Sequence, residues 1–478
     1  MNERRSAIVR RAPAVLVLLA VIVAAGFVDH SFGRPKAAVQ TTAGSMPVAP
    51  PASALSSTWY CAGGSAASSG TADMSVAVVN DGQDPRTGTI TFTPNQGDPK
   101  SVPVTVPPSS RAVFRALDVV KAPFVAATVE LDGGAAAAEV GVGGPLGSSV
   151  TQCASSASDT WYFAEGVTTK DAAETLFVYN PFPEDAIVDL TFSTEDGVSA
   201  PQGLQGLAVR GRGLLPVNVG DFVHRRQQVS TQLTTRVGRV VVSRLQTFDG
   251  TAGRKGQSLA LGAPAPSRTW YFPEGIVAPG ITERYQLYNP ANREVRAELN
   301  LALEQGAAEP IDVTVPAQAR VTVSGNDEKR IPRQVAHAVT VTSENPGLVV
   351  ERAIDAVSPA PRAGFSSIVG ATKLFDHWLF AVGQADEAWD EWIVVQNPGT
   401  RAVTFSVTAL ANGQRVGIDG LQDLQVAAGE RMAVRLGEHI KRSDLPVAVD
   451  ATGPVAVERD LYQVKGLSLI MSIGTPVA

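Results

Sequence analysis

The sequence predicts an all-β protein, in which four tandem immunoglobulin-like β-sandwich repeats of about 105 residues follow an N-terminal transmembrane helix and a disordered spacer. Two observations lead to this fold class. An aromatic phrase recurs four times at nearly constant spacing, and the segments between its copies are short apolar runs that end in Asn, Pro or Gly. The composition agrees, because 44 Gly and 32 Pro in 478 residues favour turns over helix interiors.

The tryptophans of the aromatic phrase define the repeat, and successive ones lie 102, 109 and 108 residues apart. A second column keeps the same register, because an asparagine ends an apolar run 19 to 21 residues after each tryptophan. The tryptophans are Trp59, Trp161, Trp270 and Trp378, and the asparagines are Asn80, Asn180, Asn289 and Asn397. The predicted repeats are residues 57–157 (repeat 1), 158–266 (repeat 2), 267–375 (repeat 3) and 376–478 (repeat 4).

The phrase itself, "TWYFAEG" in repeat 2, is typical of a core strand followed by its exit turn. Side chains alternate along a strand, so Trp161 and Phe163 share one face and Tyr162 takes the other. We therefore predict that the first and third aromatic residues anchor each sandwich core, with a ligand-facing aromatic platform as the alternative. The predicted core residues are Trp59, Trp161, Phe163, Trp270, Phe272, Trp378 and Phe380.

Repeat 1 departs from the phrase, since Cys61 stands where the other repeats have phenylalanine. The chain has one other cysteine, Cys153, just before the phrase of repeat 2. Two cysteines in an exported chain predict a disulfide between the first strand of repeat 1 and its last segment. Two unpaired core thiols are the alternative.

The N-terminus carries the localisation signal. Residues 1–11 form a basic tail, and residues 12–28 are an uncharged apolar run, near the lower length limit for a transmembrane helix. Arginines before this run and Asp29 after it place the N-terminus in the cytoplasm and the bulk of the chain outside. We expect a single-pass membrane anchor; secretion after signal cleavage is the alternative. Residues 29–56 have the composition of a disordered spacer.

The combination "TWYFAEG…YNP" with "VVVSR", "LVVER" and "VAVERDLY" resembles the WYFAEG-type repeat of an uncharacterised actinobacterial family of anchored or secreted proteins. The resemblance extends over about residues 55–478, with "WYCAGG" and "WLFAVG" as departures in repeats 1 and 4. It implies an extracytoplasmic, β-rich repeat protein. The family has no assigned activity, so the resemblance implies no catalytic residues.

Motifs for chemistry are missing from the sequence. The five histidines share no repeat column, and the chain has no zinc-protease motif, nucleophile elbow or phosphate-binding loop. We predict no enzyme activity, no cofactor and no metal site. A net charge of −6 without a basic block in the repeats also argues against nucleic acid as a partner.

The acidic residues of the repeats are interpreted mainly as solvated turn chemistry, with calcium or sugar contact, and then glycoside hydrolysis, as the alternatives. This set comprises Glu165, Glu174, Glu274, Glu283 and Glu391. The adjacent pairs Glu351-Arg352 and Glu458-Arg459 point to opposite strand faces, so they cannot both lie in one core, and cross-strand surface salt bridges are expected.

Repeat 4 has two extra tryptophans, Trp389 and Trp392, in the acidic segment "DEAWDEW". If this segment is a loop, the two rings and Glu391 form a candidate ligand surface; burial between repeats is an equal alternative. The sequence thus predicts a non-enzymatic cell-envelope protein, a tethered rod that serves as scaffold or interaction module and contacts the membrane through its N-terminal helix. The alternative function is a carbohydrate-binding array that recognises cell-wall polysaccharide.

Overall fold

A computed structural model describes residues 46–478, apart from residues 68–69 and 304–307. The basic tail, the apolar run 12–28 and spacer residues 29–45 lie outside the described residues. The described chain forms 34 β-strands and four short 3₁₀ helices. In these same ranges, no helix is both long and apolar enough to span a bilayer. The predicted all-β fold class is confirmed.

Repeat 1 is a sandwich of two antiparallel sheets, with strand orders β1-β6-β3-β4 and β5-β2-β7-β8. Its elements are β1 (Ser56–Ala62), β2 (Asp73–Asn80), β3 (Arg86–Pro94), β4 (Lys100–Val106), β5 (Ser110–Arg115), a 3₁₀ helix (Ala116–Asp118), β6 (Val125–Asp132), β7 (Ala136–Gly144) and β8 (Gly147–Gln152).

Repeat 2 repeats this plan, with strand orders β12-β11-β15-β9 and β14-β10-β16-β17, and with β13 also paired to β11. Its elements are β9 (Thr160–Phe163), β10 (Ala172–Asn180), β11 (Ala186–Thr194), β12 (Gly197–Ser199), a 3₁₀ helix (Gln202–Leu204), β13 (Leu207–Val209), β14 (Gly213–Asn218), a 3₁₀ helix (Val219–Asp221), β15 (Val229–Val237), β16 (Val241–Asp249) and β17 (Lys255–Leu261).

Repeat 3 has the same two sheets, with strand orders β18-β23-β20-β21 and β22-β19-β24-β25. Its elements are β18 (Thr269–Phe272), β19 (Ile281–Asn289), β20 (Val295–Leu303), β21 (Ile311–Val315), β22 (Ala319–Ser324), β23 (His337–Ser343), β24 (Val349–Ala356) and β25 (Gly364–Val369).

In repeat 4 a single long strand, β32, serves both sheets. Its first half pairs with β26 and β28, and its second half pairs with β27 and β33. The elements are β26 (Phe375–Phe380), β27 (Trp389–Gln396), β28 (Val403–Ala411), β29 (Gln414–Gly417), β30 (Leu424–Val426), β31 (Arg431–Arg435), a 3₁₀ helix (Leu436–Glu438), β32 (Val447–Gln463), β33 (Leu469–Ile473) and β34 (Thr475–Pro476).

The aromatic phrase forms the first strand of each repeat, and its tryptophans are at most 2% exposed. Trp161 and Phe163 lie in a core shared by repeats 1 and 2, whereas Tyr162 between them packs with the core of repeats 3 and 4. Tyr60 of repeat 1 also faces the next repeat, because its ring contacts the ring of Phe182 in repeat 2, with 6.4 Å between the ring centroids. The phrase therefore has two buried faces, one for its own repeat and one for the next.

The predicted disulfide between Cys61 and Cys153 is confirmed. The other repeats have Phe163, Phe272 and Phe380 in the column of Cys61, and each ring lies against a glycine of the last strand's exit. A Cβ atom on that glycine would be 2.7 Å from the ring, so only glycine fits. The disulfide thus replaces a phenylalanine-on-glycine contact. In the chain-entropy model a bond across 92 residues stabilises repeat 1 by about 4–5 kcal/mol.

The asparagine column holds the turn after the second strand of each repeat. The side-chain amide of Asn289 donates to the carbonyls of Arg293 and Val315, and its Oδ1 accepts the amide of Ala291. The equivalent asparagines of the other three repeats make the same set of bonds. These residues are structural, because their hydrogen-bonding groups are occupied within the turn.

The four repeats close on one another instead of forming the expected rod. The last long strands of the repeats (β8, β17, β25 and β33) lie side by side, each against two others, and repeat 4 contacts repeat 1. Serine hydroxyls join these strands: Leu259 N donates to Ser149 Oγ, Ser367 N to Ser258 Oγ and Ser148 N to Ser468 Oγ, each at 2.9 Å. We call the four contact regions the 1/2, 2/3, 3/4 and 4/1 junctions.

The end of the spacer belongs to the folded ring. Ala49 is fully buried and donates to Pro476 O at 2.8 Å, and Ala478 N donates back to Ala49 O at 2.9 Å. Met46 and Pro47 cover a cavity of about 50 Å³ at the place where the four last strands meet. The structure therefore differs from the spacer prediction at residues 46–50, which are largely buried and pair with the C-terminus through Ala49, and at Ser56, where β1 begins.

Candidate functional site at the junctions between repeats

Three junctions contain a fully buried ion pair. Arg244 of repeat 2 bonds Glu351 of repeat 3 at 2.8 Å, and Arg459 of repeat 4 bonds Glu139 of repeat 1 at 3.0 Å. Arg352 and Glu458 form the same pair between repeats 3 and 4. Each arginine comes from the central strand of one repeat and each glutamate from the equivalent strand of the next. The charges therefore link repeats, not strands of one sheet.

Each of these arginines also lies over a phenylalanine of its own core. The guanidinium carbon is 5.3 Å from the ring centroid of Phe163 for Arg244, and 5.4 Å from that of Phe380 for Arg459. Arg352 lies 6.0 Å from Phe272 in the same way. The arginine thus reaches from its own core to the glutamate of the next repeat, with cation–π contact on one side and charge pairing on the other.

The prediction of exposed cross-strand salt bridges at Glu351-Arg352 and Glu458-Arg459 was wrong. All four residues are at most 1% exposed. Adjacent residues do point to opposite faces of the strand, as expected. Both faces are nevertheless covered, one by the residue's own repeat and the other by the preceding repeat, so two neighbouring charges are buried at once.

A second set of charges lies beside the first. Arg320 of repeat 3 bonds Glu165 of repeat 2 at 3.4 Å, and Arg431 of repeat 4 pairs with Glu274 of repeat 3. Glu165 and Glu274 are 2% and 8% exposed, so their assignment to solvated turns was also wrong. At the 4/1 junction the acid is replaced by Val382. Arg111, in the arginine column, bonds Ala381 O at 3.0 Å and Asp444 at 2.5 Å instead.

The third acidic column, Glu174, Glu283 and Glu391, is fully buried, again in contrast to the predicted solvated turn. Burial raises the pKa of Glu174 and of Glu391 to about 8. Both Glu174 oxygens and Glu391 Oε1 have no hydrogen-bond partner among the described residues. These two carboxyl groups therefore remain protonated at neutral pH.

Glu283 differs because it has a histidine partner. His337 Nε2 lies 2.9 Å from Glu283 Oε2, and Tyr285 donates to the other oxygen at 2.8 Å. Burial opposes ionisation of both groups, but their mutual attraction outweighs it: the His337 pKa is raised and the Glu283 pKa is lowered. This is a buried ion pair that belongs to repeat 3 alone. Across the described ranges, no group of three or more His, Cys, Asp or Glu side chains is placed to hold a metal ion.

The 1/2 junction lacks these charges in every column. Its equivalent positions hold small or apolar residues: Gly63, Met74, Val140, Leu214 and Ser243. Aromatic packing replaces the ion pairs. The rings of Phe124 and Phe177 are 5.4 Å apart, and the Tyr179 hydroxyl lies 2.7 Å from Thr128 Oγ1. At the 1/2 junction the charged residues are thus missing from all of these columns together, as expected if each buried charge requires its partners.

The two extra tryptophans of repeat 4 do not share a surface. They lie on β27 and not in a loop, and residues three apart on a strand face opposite sides. Trp392 packs with the core of repeats 3 and 4, where Arg435 lies 5.8 Å from its ring. Trp389 packs with Val150 of repeat 1 and with Leu461 and Ile470. Glu391 is fully buried and contributes nothing to an exposed surface.

Trp389 lines a groove of about 350 Å³ at the 4/1 junction. Repeat 1 supplies the face of the sheet β5-β2-β7-β8, with Ser75, Arg115 and Gly143. Repeat 4 supplies Trp389 and Gln384. Sequence reasoning identified Trp389 but missed the repeat 1 wall, because side chains from two repeats meet there only when the ring closes.

A charged cluster also bridges the 4/1 junction at its outer side. His377 of repeat 4 lies 2.9 Å from Asp81 of repeat 1 and 2.6 Å from Asp450, and Arg415 contacts both carboxylates. Burial lowers the His377 pKa, but the two aspartates outweigh burial and raise it to about 9. The imidazole is therefore positively charged at neutral pH and joins repeats 4 and 1.

We expect the stability of the ring to fall as the pH rises from 5 to 6.5, because of Glu174 and Glu391. In the unfolded chain these groups ionise near 4.5, whereas in the fold they stay protonated to about 8. The unfolded state therefore loses protons first, and each group lowers the free energy of unfolding by up to about 1.4 kcal/mol per pH unit.

The double variant Glu174→Gln, Glu391→Gln should show a smaller decline when denaturant unfolding is followed over this range. The pKa of an unfolded histidine is near 6.5, so His337 and His377, whose pKa values are raised in the fold, add to the decline towards the upper end of this range. Both histidines are present in the wild type and in the variant, so the difference between the two slopes reports Glu174 and Glu391. Equal slopes for the variant and the wild type would contradict the prediction.

One family model matches part of the chain. Residues 118–345 match the model of the family described as "Family of unknown function (DUF5719)". No curated protein matches the chain. Among solved structures, Thermotoga maritima 1070 is 16% identical over 22% of this chain and 93% of its own, with a TM-score of 0.21. The Anabaena sensory rhodopsin transducer is 25% identical over 18% of this chain and 92% of its own, with a TM-score of 0.16. At these TM-scores neither likeness bears on fold or function.

Proposed function

We propose that this chain is a non-enzymatic cell-envelope protein, anchored in the membrane with its repeats outside, that acts as a rigid scaffold or interaction module. The observation that carries this proposal is the use of the buried charges. Arginines and glutamates that could have served catalysis are bonded to one another across the junctions, and they hold the repeats in a closed ring.

The acid groups at the junctions support a structural role. The carboxyl groups of Glu174 and Glu391 are fully buried and protonated at neutral pH. A general acid must reach a substrate within hydrogen-bond distance, directly or through one water. Fully buried groups in a packed junction do not have this access to a substrate.

The extracytoplasmic location is supported by two features. The apolar run 12–28 follows four arginines, which orients a membrane anchor with the repeats outside. The Cys61–Cys153 disulfide suits an oxidising compartment, since such bonds persist mainly in exported proteins.

The experiment that tests the proposal follows the full-length chain in cells with a C-terminal alkaline phosphatase reporter, which is active only outside the cytoplasm. We expect reporter activity, fractionation with membranes and an intact mass that includes residues 1–28. Surface cross-linking should capture envelope components. An inactive reporter would contradict the location, loss of about the first thirty residues would contradict the anchor, and absence of cross-linked components would contradict the scaffold.

A second candidate function is carbohydrate binding, and the groove at the 4/1 junction favours it. A partly exposed indole beside polar side chains in a groove of about 350 Å³ has the size and chemistry of a small ligand site. Of the three residues predicted from the sequence to form a ligand surface, Trp389 lines this groove. Trp392 and Glu391 are engaged in packing.

A further inference from the structure

At two of the junctions, side chains of one repeat cover part of the sheet that the next repeat presents. At the 2/3 junction Arg254 of repeat 2 lies 3.6 Å from the Phe248 ring centroid and bonds Asp355 of repeat 3 at 2.8 Å. The Phe248 ring packs edge-on against Phe365 of repeat 3 at 4.9 Å. An arginine and its aromatic neighbour therefore cover the outer part of the sheet presented by the next repeat.

The 3/4 junction has the same arrangement. Arg362, which occupies the column of Arg254, lies 3.4 Å from the ring centroid of Tyr462 and 3.6 Å from Asp390. Tyr462 occupies the column of Asp355, four residues after the buried glutamate of the strand. The covering arginine and the covered side chain are thus present at both junctions.

The 4/1 junction has lost both partners. The column of Arg254 and Arg362 holds Gly466, three residues before the start of β33. In repeat 1 the columns of Tyr462 and Asp460 hold Gly143 and Gly141. The groove is open because glycine replaces the covering arginine and the two side chains that correspond to Tyr462 and Asp460.

The chemistry of the groove is mixed and not strongly charged. The indole of Trp389 forms one wall, against Ile470 and Val150. Arg115 and Gln384 offer donors, Asp73 offers an acceptor, and Ser75 and Ser148 offer hydroxyls that do both. A pyranose ring fits this combination, since it has an apolar face for the indole and hydroxyls that donate and accept.

An extended peptide fits less well. Peptides that add to a sheet need unpaired backbone, which the groove floor does not offer. Gly141 and Gly143 lie on β7, which is paired with β2 on one side and with β8 on the other. The floor can therefore contact a ligand only through its surface, as stacking and side-chain hydrogen bonds to a sugar require.

We propose that the groove at the 4/1 junction is a glycan-binding site, in which one pyranose unit stacks on Trp389 and hydrogen-bonds to Arg115, Asp73 and Gln384. This inference rests on the carbohydrate-binding candidate function and assigns its site. The other three junctions have no part in it, because side chains fill the equivalent space at the 2/3 and 3/4 junctions and the 1/2 junction has no tryptophan in that column.

The blocking variant is Gly143→Tyr, which introduces the residue that repeat 4 has in the same column. A Cβ at Gly143 meets only Ser148 Oγ, at 3.5 Å, so the backbone accommodates it. The matched control is Gly437→Tyr, whose Cβ would meet nothing within 4 Å and which does not line the groove. Trp389→Ala and Arg115→Ala test the stacking and the polar contact.

The probes are soluble oligosaccharides of three to six units, one set neutral and one set containing uronic acids, with neutral and acidic decapeptides for comparison. Binding to the full-length chain in detergent is measured by calorimetry. We expect at least one saccharide to bind, with a Kd that rises tenfold or more in Gly143→Tyr and Trp389→Ala and less in Arg115→Ala. Gly437→Tyr should bind as the wild type does. Thermal unfolding checks that each variant retains the fold.

Three results would overturn the assignment. Saccharide binding that Gly143→Tyr leaves unchanged would place the site elsewhere and leave the carbohydrate-binding function standing. Binding of peptides alone would make the groove a protein contact. Absence of saccharide binding in the wild type would reject carbohydrate binding itself, while the scaffold proposal would still be judged by its own cross-linking result.

Discussion

Replacing Arg352 by Met should destabilise the ring by about 3–5 kcal/mol, which is the usual cost of leaving one member of a buried ion pair without its partner. Glu458, fully buried, would then face Asp460 and Glu274 without the guanidinium that now lies between repeats 3 and 4. Urea unfolding of the full-length chain, followed by tryptophan fluorescence, measures the loss.

Two further variants separate charge pairing from packing. In the double variant Arg352→Met, Glu458→Met the unpaired charge is removed, so much of the lost stability should return. In Arg236→Met the pair with Asp189 is on the surface, and little change is expected. If the single and double variants at the junction lose the same stability, then the pairing of Arg352 with Glu458 is not what holds repeats 3 and 4 together.

The second large effect is expected at the aromatic phrase. Trp270→Ala should cost about 3–5 kcal/mol, because it empties a large buried site and removes the indole hydrogen bond to Leu348 O at 2.9 Å. Tyr271→Ala should cost clearly less, since that ring is half-buried and faces the next repeat. Denaturant unfolding of the two full-length variants measures both losses of stability. Equal losses would contradict the assignment of Trp270 and Tyr271 to opposite faces of this strand.

The repeat and its core could be predicted from the sequence because they depend on local alternation. Trp161 and Phe163 are two residues apart, and this spacing alone assigns them to one face. The disulfide was also accessible, since Cys61 stands in an aromatic column and Cys153 is its one possible partner within the chain.

The closed ring could not be predicted in the same way. Alternation tells which face a residue takes but not what covers that face, and Glu351 and Glu458 were assigned to solvent for that reason. One signal was present in the sequence: repeat 1 lacks an acid at Gly63 and at Met74, and an arginine at Val140, all together. Joint loss of charges in several columns indicates a shared partner, which surface residues would not need.

The tryptophans of repeat 4 show a second limit of prediction from the sequence: local polarity does not decide whether a segment is a loop or a strand. Four acidic neighbours made residues 386–391 look like a loop, yet Trp389 begins a strand that pairs with Gln463 and its neighbours. Strand pairing within repeat 4 therefore outweighed local polarity. Alternation along this strand turns Trp389 towards repeat 1 and Trp392 towards the core of repeats 3 and 4.

Covalent continuity of the four repeats has a consequence for stoichiometry. A ring assembled from four identical chains would have the same contact four times, and a groove at one contact would appear at every contact. Here the pairing of Ala49 with the C-terminal residues closes a single chain, so each junction has its own sequence. The 1/2 junction is apolar, the 2/3 and 3/4 junctions each contain both kinds of buried ion pair, and the 4/1 junction has an open groove at Trp389. With the glycan-binding role proposed for this groove, each molecule would present one binding site, and its valence would be one.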